Sequence, residues 1–134
     1  MVQTMLYEDI TKRIIAAAMH VHSTLGNGFQ KVIYQRALEI EMPLHNLTFG
    51  REMEMSIFYR EHPIGTRRVD FFVEEKVMVE LKAVIKLEDV HLAQAMNYLE
   101  AYKMPIGLLI NFGGKSLEFK RVHNNKLSNS LNHD

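Results

Sequence analysis

The sequence predicts an α/β fold, a mixed central β-sheet flanked by helices, with elements in the order ααβββαββ. Three observations carry this. The first forty residues repeat apolar positions every three or four. After Pro43 the period drops to two, across three segments joined by short connections. From Val77 to Asn111 a strand, a helix and another strand follow one another, an order that closes as a right-handed crossover onto a parallel pair.

The first helix is expected over residues 6–25, where Leu6, Ile10, Ile14, Ala17, Val21 and Leu25 fall on one stripe, with Thr4 as a candidate cap. Gly26-Asn27-Gly28 stops it, because glycine and asparagine tolerate positive φ at low cost. A second helix runs from Phe29 to about Glu41, with Val32, Ile33, Ala37, Leu38 and Ile40 as its apolar surface and Pro43 as its bound. Arg51–Tyr59 alternates as a half-buried strand, and His62-Pro63-Ile64-Gly65 makes a turn. Val69–Val73 and Val77–Ala83 are the next two strands, joined by the polar loop Glu74-Glu75-Lys76. Val69, Phe71 and Val73 should share one face. A helix from about Glu88 to Tyr102 presents Val90, Ala93, Gln94, Asn97, Tyr98 and Ala101 on a broad face. Ile106–Asn111 is almost wholly apolar, as suits a strand covered on both sides. Gly113-Gly114 turns the chain into an edge strand, Leu117–Val122, through which a second copy can pair to give a homodimer.

With 134 residues, 47% of them hydrophobic, the chain fits one domain, 1–123, followed by a flexible tail, 124–134, poor in apolar residues. It has no cysteine, which excludes disulfides and thiolate metal sites. No apolar run approaches the length needed to span a bilayer, and the N-terminus lacks the pattern of a secretion signal, so a cytoplasmic location without membrane contact is expected. Lys plus Arg and Asp plus Glu both number 16. That balance argues against tight nonspecific DNA binding, which draws on a surplus of positive charge.

Chemistry concentrates in the middle of the chain. Glu80 and Lys82 lie two apart on one strand and therefore point the same way, and the short loop brings Asp70 beside them. Two carboxylates and an ammonium in one patch suit Mg²⁺, which often takes only one or two carboxylates and fills its remaining positions with water and phosphate. The same charges also fit the solvated half of an alternating strand, where an ion pair is worth little. Coverage of both sheet faces favours the site, because unpaired charge is costly to bury.

Several segments then form a wider pattern: residues 14–22, Leu25–Gly28, Val69–Val73, Val79–Ala83, His91–Gln94 with Asn97–Leu99, and Gly107–Gly113. Together they resemble the GxxExxY protein family, a branch of the PD-(D/E)xK nuclease-like superfamily, over about three quarters of the chain. The resemblance implies a restriction-endonuclease-like core and a DNA nuclease using Mg²⁺ or Mn²⁺. Asp70 and Glu80 match the metal ligands and Lys82 the catalytic lysine. Gln94 and Tyr98 match the QxxxY pair of RecB-like nucleases, at a spacing that shares a helical face. His22 and His91 also match family positions, with hydrogen-bonded structural roles equally open to them. Gly28 and Tyr34 stand where the family name puts them, but Lys31 replaces its glutamate. A lysine there opposes a cation: either it points to solvent and the three core residues suffice, or it pairs with Asp70 or Glu80 and replaces part of the metal's charge, weakening the site. Arg67, Arg68 and Lys86 are candidates for phosphate contact.

Two functions of different class follow. One is a metal-dependent nuclease hydrolysing DNA phosphodiester bonds. The other is a weakened or inactive nuclease-like module that binds nucleic acid or a protein partner.

Overall fold

The computed structural model describes residues 6–126; the expected cap Thr4 and the expected tail beyond Lys126 lie outside them. Within that span the predicted order holds: α1 (Glu8–Leu25), α2 (Lys31–Leu44), β1 (Phe49–Tyr59), β2 (His62–Val73), β3 (Val77–Lys82), α3 (Asp89–Tyr102), β4 (Ile106–Asn111) and β5 (Glu118–His123). The sheet runs β1-β2-β3-β4-β5, with β3 and β4 parallel through the α3 crossover and the other neighbours antiparallel. β1 and β5 are its edges. No helix among the described residues is long and apolar enough to cross a membrane.

Both faces are covered. α1 and α2 pack Ile14, Ala17, Val21, Tyr34, Leu38 and Met42 onto Phe71, Val73, Val77, Val79 and Leu81 together with Ile106, Leu108 and Ile110 of β4. α3 packs Ala95 and Leu99 onto Val69, Met78, Leu109 and Val122. Gly107 permits that approach: a Cβ there would lie 3.1 Å from the Met78 carbonyl and 3.2 Å from a Leu99 methyl. The buried stripe of α3 therefore runs through Ala95 and Leu99, not through the face that includes Ala93 and Asn97, which are exposed. On α2, Ile40 likewise points to solvent, and Tyr34 and Gln35 take the interior.

The β1–β2 hairpin departs furthest from expectation. The turn falls at Arg60-Glu61, both at positive φ, with Tyr59 opposite His62, a two-residue loop of the I′ kind. No glycine or asparagine marks it, so the neighbouring Pro63-Ile64-Gly65 drew the expected turn; those residues instead begin β2. Helix α2 passes through Pro43 to Leu44, because a proline in the last turn forfeits only one bond to a preceding carbonyl.

Val69, Phe71 and Val73 do not share a face. Val69 belongs to the α3-side core, Phe71 and Val73 to the α1/α2 side. The switch occurs at Asp70, whose β1 neighbour Glu52 has φ 52. The ladder pairs Arg51 with Phe71 and Met53 with Val69, with no pairing recorded for the two residues between. At the C-terminal end, Asn124 was expected to open a loose tail. It is buried instead, its amide donating to the Leu99 carbonyl at 3.1 Å and its backbone N–H to Pro105 at 3.1 Å.

Candidate active site

The kink at Asp70 opens a fork. Pairing of β2 with β3 is recorded from Val73↔Val77 to Phe71↔Val79 and goes no further. Beyond it the Leu81 N–H, which would otherwise bond a backbone carbonyl of β2, donates to Asp70 Oδ2 at 2.8 Å. The carboxylate thus fills the gap where the strands part. Its other oxygen takes two donors from α2: Lys31 Nζ at 2.9 Å and Gln35 Nε2 at 3.3 Å. These sit one turn apart, so both reach the same point. Asp70 is only 5% exposed.

Glu80 reaches the fork from the α3 side, the side of Met78 and Lys82. It is 3% exposed, and Oε2 accepts from Arg67 at 2.9 Å, while Oε1 is buried with no protein partner. Burial, reinforced by the charge of Asp70, pushes the Glu80 carboxyl up to about 7; Arg67, Lys31 and Lys82 pull the other way. The charges of Asp70 and Lys31 thus act on Glu80 although different elements hold the two acids. Lys82 Nζ lies 3.4 Å from Gln94 Oε1 on α3. The Arg67 guanidinium stacks over the Tyr98 ring at 4.4 Å from its centre.

The structure places these residues in three groups: Asp70 turns to Lys31 and Gln35 of α2, while on the α3 side Glu80 meets Arg67, which lies over Tyr98, and Lys82 meets Gln94. It does so with one reassignment: Arg67, expected to meet phosphate, is taken up by Glu80 and Tyr98. Arg68 and Lys86 are exposed, and the charge of Lys86 acts on Glu118. His22, His91 and Tyr34 serve the frame. His22 Nε2 is 2.9 Å from the Gly114 carbonyl. His91 Nδ1 accepts the Glu88 N–H at 2.9 Å, capping α3 and leaving the ring proton on Nε2 in the neutral form. Tyr34 is fully buried, stacked on Phe112, and donates to the Gly26 carbonyl at 2.6 Å while accepting from Phe29 N–H. It closes the α1–α2 connection and so sets where Lys31 begins α2.

Two contributors escaped the sequence reading. Gln35 has a signal in retrospect, lying four residues after Lys31 on the same helical face; its Oε1 also accepts from Arg51. Asn111 ends an apolar strand and is wholly buried. It bonds both backbone groups of Val84, together with Glu118 and the Gly113 N–H, and so fixes the loop that leaves Lys82.

Among the described residues no group of three or more His, Asp or Glu forms a ready metal cluster. The donor set is the pair Asp70 and Glu80. It fits a hard divalent cation that needs only one or two carboxylates, and the partnerless buried Oε1 of Glu80 is the atom such an ion would satisfy. The Lys31 ammonium on Asp70 competes for the same charge.

This fold, with two acids and a lysine at a strand fork, defines an α/β domain of nuclease type. The chain belongs to the PD-(D/E)XK nuclease superfamily, whose sequence profile matches residues 8–122. It is similar in fold to the crystal structure of SSO0001, with a TM-score of 0.53 at 16% identity, over 95% of this chain and 68% of that one. No curated protein sequence matches it.

Proposed function

We propose that the protein is a Mg²⁺- or Mn²⁺-dependent nuclease that hydrolyses DNA phosphodiester bonds, with Asp70 and Glu80 as the metal ligands. The observation that carries this is Glu80: a buried carboxylate with one oxygen unpartnered, within the electrostatic reach of buried Asp70 and of Lys82. A bound metal would stabilise charge on the phosphoryl oxygens and lower the pKa of a coordinated water. The chain's own residues do the rest. Lys82, steadied by Gln94, orients the attacking water or stabilises the charge that develops on phosphate. Tyr98 supports Arg67, which holds Glu80 in place. Arg68 and Lys86, both exposed, offer contacts to the backbone of the substrate. The QxxxY spacing of Gln94 and Tyr98 supports the RecB-like resemblance, and the cradle around Lys31 and Tyr34 supports the GxxExxY one.

One observation favours a second reading, a nuclease-like module without catalysis. Lys31 already supplies a positive charge at 2.9 Å from Asp70. Cleavage of single- and double-stranded DNA distinguishes the two. The nuclease cuts with Mn²⁺ and stops in EDTA. Lys82→Ala lowers its rate about 100- to 1,000-fold, the scale for loss of one charge-stabilising group, with an unchanged melting temperature. A wild type that cuts nothing with either metal, and stays inactive as Lys31→Glu, leaves the module.

A further inference from the structure

The fixed charges at the fork do not favour a metal arriving alone. Asp70 and Glu80 contribute two negative charges at most; Lys31, Arg67 and Lys82 contribute three positive ones. A divalent ion added to that set raises an existing surplus, and the ion must also compete with an ammonium already seated on Asp70. The three cations are not equally fixed. Arg67 is half-buried, bonded to Glu80 at 2.9 Å and stacked on Tyr98. Lys82 is held by Gln94. Lys31 has a side chain 40% exposed on a flexible stem, and it begins α2, where the helix end repels positive charge.

We infer that Lys31 is an exchangeable counter-ion: it occupies Asp70 in the free protein and moves to a substrate phosphate when metal and nucleic acid bind together. This rests on the metal-dependent reading of the site and specifies its order of assembly. Phosphate restores the charge balance that the metal upsets, and it gives the displaced ammonium a new partner. Metal and DNA then bind cooperatively, each raising the affinity of the other by the same factor. Lys31 acts through Asp70 and is a positioning residue.

The test measures Mn²⁺ binding by electron paramagnetic resonance, with and without a short DNA whose 3′ bridging oxygens are replaced by CH2, which keeps the phosphate charge and resists hydrolysis. Wild type should bind Mn²⁺ at least about 10-fold more tightly in the presence of the DNA. Lys31→Gln keeps a hydrogen-bonding group beside Asp70 and removes the charge. It should bind Mn²⁺ alone about 10-fold more tightly and lose most of the coupling. Lys31→Arg, which retains both charge and fold, should keep the coupling. Equal Mn²⁺ affinity in wild type and Lys31→Gln, with coupling unchanged, overturns the counter-ion role while the metal site stands. Failure of every form, Lys31→Glu included, to bind Mn²⁺ with or without DNA overturns the metal site itself.

Discussion

The two faces of the sheet are built differently. Among the described residues the core on the α1/α2 side holds seventeen buried residues, the helices' own included, with Tyr34, Phe71 and Phe112 among them; the core on the α3 side holds six, and the largest fully buried side chains there are leucines. The carboxylates follow the same division. Asp70, turned towards the larger core, has all its described bonds made: two donors from α2 and one from the backbone. Glu80, on the lighter side, has one charged partner and one empty oxygen. One face supplies rigidity and stability, and the other tolerates an unsatisfied charge. Active sites commonly hold groups in costly states that the remaining fold supports.

That contrast can be broken first by truncation. Phe71→Ala on the larger side should cost about 3–5 kcal/mol and Leu99→Ala on the α3 side nearer about 2, by urea unfolding. Equal losses would mean the faces share the load. Next comes pH. The Glu80 carboxyl sits at about 7 in the folded chain against 4.5 ordinarily, so between these values the folded state holds more protons than the unfolded state. Its contribution is fully present below pH 4.5, is lost as pH rises towards 7, and stays lost above. In metal-free buffer, Glu80→Gln should match wild type at the acid end and exceed it at pH 8, by on the order of 3 kcal/mol. A variant less stable than wild type at pH 8 would place Glu80 among the structural pairs instead. The smallest effect is expected at Tyr98→Leu, about 0.5–1 kcal/mol from the lost guanidinium–ring contact, read from the melting temperature.

Much of this was legible in the sequence because the signals were local. Apolar period gave the element order, and the two-residue spacing of Glu80 and Lys82 put them on one side. The crossover from β3 to β4 followed from chain order. What was hidden depends on partners far away in sequence. The side switch at Asp70 arises where β1 and β2 both lose their pairing, and no local pattern of Val69-Asp70-Phe71 announces it. The I′ turn at Arg60-Glu61 uses residues that rarely favour positive φ. Arg67 read as a free cation because its partner, thirteen residues on, belongs to the neighbouring strand. Lys31 was visible as a departure from the family pattern, and the structure added its partner, Asp70.

The carboxylate lodged between β2 and β3 has a practical corollary for mutagenesis. Asp70 replaces a missing rung of main-chain bonding at Leu81, so shortening it to alanine strips a buried amide of its acceptor and unlocks two strands at once. An inactive Asp70→Ala protein would then report a damaged scaffold as readily as a lost ligand. Lys82, whose side chain makes one long contact among the described residues, to Gln94, is the position where a dead variant speaks about reactivity alone.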